Sequence, residues 1–362
     1  MKPGSVRKLA LLLVTSTSLF ASSFYQTNLV SDISGMAPVT DSHLMDSWGM
    51  AFSATSPIWV ADRASGFSTV YNGITGAPAP TGSPLVVAVP PGAPIGPTGV
   101  VFAGPATSFT LNGTPASFIF DTLGGTVDAW NGGTTATEVA ATVGARYEGL
   151  ASTNNTLYAA NFVNGGDVNV FNSSYSQTGS FTDPTIPAGY APFNVQNLNG
   201  MLYVEYAKLS PNIPVPLPGG GGYVDVFDTA GTLVKRLVSN GPLDAPWGIA
   251  LAPPGFGDFG NDLLIGNFGN GEINAFNPST GAFVGTVTDS KGNPIANSGL
   301  WAIAFGNSAA NPNALYFTAG LNQRADGLFG DIQAVPEPGG FALIVLGLLG
   351  LAGYAGQRRS NT

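Results

Sequence analysis

Five side chains of this 362-residue chain could act together, because they recur at one position of a repeated pattern. Asp62, Asp121, Asn161, Glu205 and Asn267 each close a short apolar run: Ile58-Trp-Val-Ala-Asp, Phe118-Ile-Phe-Asp, Leu157-Tyr-Ala-Ala-Asn, Leu202-Tyr-Val-Glu and Leu263-Leu-Ile-Gly-Asn. A sixth, Glu148, opens the repeat that contains Asn161. Carboxylates and amide oxygens gathered on one face would suit a hard divalent cation such as calcium. The competing role is local. Asp and Asn at the end of a strand commonly bond the N–H groups of their own loop, and that is the first expectation here.

Other chemistries are excluded or unsupported. The chain has no cysteine, so it has no thiol nucleophile, disulfide or zinc-thiolate site. It has one histidine, His43, and no G-x-S-x-G elbow to accompany it. Gly219 to Gly222 lack the Lys and helix of a phosphate-binding loop. A carboxylate pair for glycoside hydrolysis is a matter of spatial distance and stays open. A net charge of -9 argues against a nucleic-acid partner.

The elements that position these residues follow from the repeat. Six segments start alike: Trp48-Gly-Met-Ala-Phe, Thr98-Gly-Val-Val-Phe, Glu148-Gly-Leu-Ala, Pro192-Phe-Asn-Val, Trp247-Gly-Ile-Ala-Leu and Trp301-Ala-Ile-Ala-Phe. Their second positions are spaced by 50, 50, 44, 55 and 54 residues. Each start leads to a second apolar run, then in five of them to an alternating third such as Asp167-Val-Asn-Val-Phe-Asn. Turn residues such as Asn277-Pro-Ser-Thr-Gly follow, and then a short fourth run. With 50 Gly and 28 Pro among 44% hydrophobic residues, a helical bundle is excluded. Four short antiparallel strands per repeat make a β-propeller blade.

The sixth repeat has room for only three strands, and the apolar stretch Phe24 to Val30 supplies the missing one. The expectation is an all-β, six-bladed β-propeller over 24–334, closed by its N-terminal strand. Loops entering the first strand of each blade and loops joining strands two and three then share one face. That face carries the six oxygen-bearing residues above, together with Asp46, Arg63 and Arg146, and it is the candidate ligand-binding face. Trp48, Trp247 and Trp301 recur at one position there and are expected to pack. The insertion Leu209 to Gly222, Pro-rich and then Gly-rich, reads as an extended arm on a flexible hinge; with nothing charged or aromatic in it, a disordered bulge is the first expectation and a lid or partner-docking arm the alternative.

The stretches Gln26-Thr-Asn-Leu-Val-Ser-Asp, Ser47-Trp-Gly-Met-Ala-Phe, Ala188-Gly-Tyr-Ala-Pro-Phe-Asn-Val-Gln, Pro246-Trp-Gly-Ile-Ala-Leu-Ala-Pro and Gly266-Asn-Phe-Gly-Asn-Gly-Glu-Ile-Asn-Ala-Phe resemble a family of secreted bacterial six-bladed propellers of unknown function, close to the NHL-type propellers. The resemblance covers nearly all of the body. It implies the fold and export, and no activity. Glu148, Asn161 and Asn267 are also similar to the metal-holding Glu and Asn of propeller lactonases.

Both ends read as addresses. Lys2, Arg7 and Lys8 precede the apolar run Leu9 to Val14, and Ala21-Ser-Ser follows, as in a secretory signal peptide over 1–23. At the other end Pro336, Glu337 and Pro338 precede an apolar run from Phe341 to Gly356, and Arg358 and Arg359 close it. Segment 335–362 resembles the PEP-CTERM sorting signal, which implies an exosortase-type protease as partner and a transient membrane helix. An ordinary single-span anchor is the alternative. The body between the ends keeps seven basic and twenty acidic residues, near -13. The sequence therefore points to an exported, non-enzymatic binding or extracellular-matrix protein. Exopolysaccharide or matrix proteins are its candidate partners, and no cofactor is required. A metal-dependent hydrolase or lactonase using the same face is the alternative.

Overall fold

The computed structural model describes residues 22–104, 107–211 and 213–335. The signal peptide expected over 1–23 and the sorting tail expected over 335–362 lie outside the described residues, except for Ser22, Ser23 and Val335. The sorting-signal residues Pro336, Glu337, Pro338, Arg358 and Arg359 are among those not described. Among the described residues no helix is long and apolar enough to cross a membrane.

Six antiparallel sheets, each with four main strands, follow one another along the chain. Blade one holds Ser47–Ala51, Ile58–Asp62, Phe67–Tyr71 and Val86–Ala88. Blade two holds Pro97–Phe102, Phe118–Thr122, Thr126–Trp130 and Thr137–Ala141. Blade three holds Tyr147–Ser152, Thr156–Asn161, Val168–Asn172 and Gln177–Phe181. Blade four holds Tyr190–Leu198, Met201–Lys208, Gly222–Phe227 and Leu233–Ser239. Blade five holds Pro246–Leu251, Leu263–Asn267, Ile273–Phe276 and Phe283–Thr286. Blade six holds Leu300–Phe305, Leu315–Gly320 and Asp326–Ala334, and its fourth strand is Phe24–Ser31.

The closing strand pairs antiparallel with Asp326–Ala334 from Phe24 opposite Ala334 to Ser31 opposite Leu328. The six first strands contact their neighbours in ring order, blade six against blade one included. The chain is thus a closed six-bladed β-propeller. Inner strands are buried on both faces, which is why they read as continuous apolar runs. Outer strands are wet, as in Gln177–Phe181 where four of five residues are exposed.

Packing follows the blades. Six apolar clusters lie one between each adjacent pair of blades, for example Ile58, Val60 and Tyr71 of blade one against Tyr316 and Phe329 of blade six. Burying one such side chain contributes roughly 1.5–3 kcal/mol. The glycine at the second position of four of the six units, Gly49, Gly99, Gly149 and Gly248, has a steric cause. A Cβ on Gly49 would collide with the Thr98 carbonyl of the next blade, and one on Gly149 with the Asn194 side chain. The first strand of every blade also slips register against the second at this level, so each carries a bulge.

The blade-four insertion differs from both the flexible arm and the disordered bulge expected. Its described residues fold back on the blade: the Ser210 N–H donates to the Val215 carbonyl at 2.8 Å, and the Leu217 N–H to the Lys208 carbonyl at 2.8 Å. The Gly219 N–H donates to Asp244 Oδ1 at 2.6 Å. Leu209 packs on the central aromatic cluster described below. These backbone bonds and one apolar anchor fix what composition alone assigned to a hinge.

Candidate functional site

The channel mouth on the expected face is filled by aromatic side chains. Trp48 of blade one stacks on Trp301 of blade six, with centroids 3.6 Å apart and planes at 21°. Trp247 of blade five stands edge-on to both, at 6.4 and 5.7 Å. Phe193 of blade four, Phe162 of blade three and Leu123 of blade two complete the cluster, so every blade contributes to one plug. The three tryptophans are at most 4% exposed. Their recurrence at one repeat position is therefore a packing device.

The oxygen-bearing residues lie within the ring wall. Asp62, Asp121, Glu148, Glu205 and Asn267 are fully buried, and Asn161 is half-buried. They differ from the loop-capping role expected first for this position, because most of them reach across to the first strand of their own blade. Asp62 accepts from the Ser47 hydroxyl at 3.0 Å and from Thr69 on strand three at 2.7 Å. Asp121 accepts from the Thr98 hydroxyl at 2.8 Å and the Gly99 N–H at 2.6 Å. Glu205 accepts from Asn194 Nδ2 at 3.0 Å. Asn161 Oδ1 accepts from the Arg146 N–H at 2.9 Å. Asn267 Nδ2 donates to the Pro242 carbonyl at 2.8 Å. The bulge accounts for one of these bonds, since it leaves the Gly99 N–H for Asp121; Asp62 and Glu205 are held by first-strand side chains instead.

Burial also sets their protonation. It pushes Asp121 up to about 7, against the hydrogen bonds from Thr98 and Gly99. It pushes Glu148 up to about 7, against the pull of Arg146 and Arg324. It raises Asp62 and Glu205 well above the usual carboxylate range. One oxygen each of Asp121, Glu148, Glu205 and Asn267 has no hydrogen-bond partner among the described residues.

Arg146 joins two of the three residues expected around a metal: its Nε donates to Glu148 Oε1 at 2.5 Å and its backbone N–H to Asn161 Oδ1, while Asn267 bonds the Pro242 carbonyl. Among the described residues no three His, Cys, Asp or Glu side chains are gathered as a metal ion requires.

Above the plug runs a chain of ion pairs. Arg63 Nε reaches Asp46 Oδ2 at 2.5 Å, and Arg324 Nε lies 3.5 Å from the same oxygen. The Trp301 indole N–H donates to Asp46 Oδ1 at 3.2 Å. The Arg324 guanidinium lies over Trp48, 5.2 Å from the ring centroid. The Trp247 indole N–H donates to the Glu148 carbonyl at 2.8 Å, so this chain is tied to the plug on the blade-three side too. Arg324 was not among the residues singled out from sequence. It falls in the short loop after Gly320, and the signal that could have found it is the scarcity of basic residues in the body.

Two clefts border this architecture. One, of about 520 Å³, lies on the same face between the blade-four insertion and Val163-Asn164 of blade three, lined by Leu209, Pro211 and Ile213. The other is a funnel at the opposite end of the channel, lined by Met50, Phe52, Phe102, Gln196, Asn197 and Ala304, with a volume of about 310 Å³.

No protein-family model matches the chain. The uncharacterized protein R648 of Acanthamoeba polyphaga mimivirus is 32% identical over 323 residues, covering 84% of this chain and 78% of that protein. The chain belongs to the family of that protein. A second uncharacterized protein of the same virus, L690, is 35% identical over 196 residues, covering 51% of each chain. Among solved structures, streptogramin B lyase superposes with a TM-score of 0.51 at 11% identity, covering 87% of this chain and 98% of that one. A chain of a mitotic checkpoint complex gives 0.50 at 13% identity, covering 90% and 98%. At these identities the likeness shows the propeller fold alone.

Proposed function

We propose that this propeller works by binding rather than by turnover, as an exported protein of the cell surface or extracellular matrix. One observation carries the reading. The oxygens that could have been catalytic are held inside the ring wall under a tryptophan plug, and each candidate residue has a hydrogen bond to make there. The polar groups left at the accessible mouth are cationic donors, which recognise a ligand without transforming it. Export rests on the sequence pattern of the two ends: a signal peptide over 1–23, and an exosortase-type protease acting at 335–362 after a transient membrane stage. Exopolysaccharide or matrix proteins are the partners this reading favours, and it needs no cofactor.

A second reading is favoured by one group. A carboxyl near neutrality, as at Glu148, is in the range of a general acid or base. It would make the chain a hydrolase or lactonase, with a divalent cation drawn to Glu148, Asn161 and Asn267. Purified protein is screened with lactone, ester and glycoside substrates, with and without calcium, beside Glu148→Gln. No turnover is expected. Turnover that Glu148→Gln abolishes overturns the binding reading. The metal is tested separately, because removing an ion bound only to the folded state must lower the melting midpoint. The expected result is no stoichiometric metal and no change on adding a chelator.

A further inference from the structure

The body carries seven basic residues against twenty acidic ones, yet Arg63, Arg146 and Arg324 all stand at the channel mouth. They come from blades one, three and six. Their carboxylate partners there are Asp46 and Glu148, so the paired groups carry one more guanidinium than carboxylate.

Donor accounting separates the three. Arg63 is engaged at all three nitrogens, through Nε to Asp46, Nη1 to the Pro94 carbonyl at 2.9 Å and Nη2 to the Arg324 carbonyl at 3.3 Å. Arg146 donates through Nε to Glu148, and its two terminal nitrogens have no partner among the described residues. Among the described residues the Arg324 side chain makes only the 3.5 Å approach to Asp46, and it lies over Trp48 and Trp301. A guanidinium has five N–H groups, so most donors of these two side chains are uncommitted. Both remain reachable, with 18% and 19% of the side chain accessible. The indole beneath Arg324 adds an independent sign: Trp48 is fully buried, and its Nε1 has no partner among the described residues.

The backbone holds Arg324 there against local preference. Asn322, Gln323 and Arg324 have φ of 49°, 58° and 71°, three successive left-handed residues without a glycine. Such a run is unfavourable for L-residues and persists only where the surroundings impose it. Here the Asn322 side chain donates to Asp326 Oδ2 at 2.7 Å, and Arg63 holds the Arg324 carbonyl.

We propose that the channel mouth is a binding site for a carboxylate monoanion, gripped by the terminal N–H groups of Arg146 and Arg324, with Arg63 and Asp46 positioning Arg324. The proposal rests on the binding reading above and names its ligand class. A planar carboxylate matches a guanidinium fork in shape, and one negative charge matches the surplus at the mouth. A phosphate dianion would exceed that surplus. The carboxylate can belong to a free sugar acid or to a uronate chain, and the test separates the two.

The full chain is titrated calorimetrically with glucuronate, a uronate oligosaccharide, glucose and inorganic phosphate. Glucuronate is expected to bind saturably and to raise the melting midpoint, and glucose to do neither. Arg146→Gln and Arg324→Gln should each weaken binding at least about tenfold, in protein that still melts cooperatively. Arg324→Lys, which keeps the charge without the fork, should fall between. An oligosaccharide binding at least about tenfold more tightly than glucuronate assigns the carboxylate to a chain, and equal binding assigns it to a free acid. Absence of saturable carboxylate binding by the folded protein overturns the proposal. So does binding that neither arginine variant alters, or tighter binding of phosphate. Turnover together with arginine-dependent carboxylate binding would instead overturn the binding reading and leave this site in place.

Discussion

The Trp48 indole lies on that of Trp301 with 3.6 Å between centroids, and so joins the first blade to the last at the axis. The contact is fully buried, and Trp247 stands edge-on to both rings. Replacing Trp301 by Ala removes the stack and leaves a void against Trp48, Phe193, Trp247 and Phe268, side chains of blades one, four and five. The expected loss is about 3–5 kcal/mol, read as a lower denaturant midpoint. A loss below about 1 kcal/mol would mean that the plug does not hold the ring together.

The closing strand makes a sharper prediction. Without residues 24–31, Asp326–Ala334 becomes an open edge, and Leu29 and Val30 leave the cluster between blades six and one. Such an edge invites pairing with another chain. The truncated protein should lose its cooperative melt and elute as aggregates in size-exclusion chromatography. A monomeric, cooperatively melting product would contradict closure by this strand.

Buried carboxyls give stability a definite pH dependence. Burial pushes Asp121, Asp128 and Glu148 up to about 7, from ordinary values of 3.8, 3.8 and 4.5. Between about pH 4 and 7 the unfolded chain has released these protons while the folded chain keeps them. Their contribution is therefore complete below about pH 4 and is lost as pH rises through 7. The folded protein should be more stable at pH 5 than at pH 8 by a few kcal/mol, on the order of what three such groups give. Asp183 works the other way. Burial would raise it, but hydrogen bonds from Thr185 and the Arg236 charge hold it below its ordinary value, so its share is lost in acid. Urea midpoints across this range test the sign, and Asp121→Asn should flatten the slope.

Gly149 and Gly179 form a matched pair. A Cβ at Gly149 meets the Asn194 side chain of the next blade, whereas nothing lies within 4 Å of one at Gly179 on the outer strand. Gly149→Ala should cost about 1–3 kcal/mol by overpacking. Gly179→Ala should stay within about 0.5 kcal/mol. Equal effects would remove the steric account of the repeated glycine.

Release from the cell has its own readout. Mass spectrometry of the exported protein should find no peptide from 341–362, and finding one in the released form would contradict tail processing.

The ring was legible in the sequence because its periodicity is physical. Four of the six blades have a glycine at the axis, all have apolar strands around it, and the repeats show both. The leftover stretch at Phe24 could be matched to the missing strand for the same reason. The fate of Asp62, Asp121 and Glu205 was not legible, because it depends on which first-strand groups face them across the blade: Ser47, Thr98 with the Gly99 N–H, and Asn194. Asn161 and Asn267, at the same repeat position, instead bond the backbone of the segments that lead into the first strands. The ion-pair chain was hidden further. Arg63, Arg146 and Arg324 are far apart in sequence, and a left-handed backbone turn, which no composition signals, brings Arg324 over Trp48.

The seam between Phe24–Ser31 and Asp326–Ala334 also acts as a test of completeness. The first strand synthesised waits for the last, across the longest sequence separation the body contains. That order makes ring formation slow, because loop closure over the whole body must precede the reward of the final pairing. A nascent chain stopped anywhere before Asp326 can form blades but cannot hide its first strand. Quality control can therefore recognise an unfinished molecule by one bare edge.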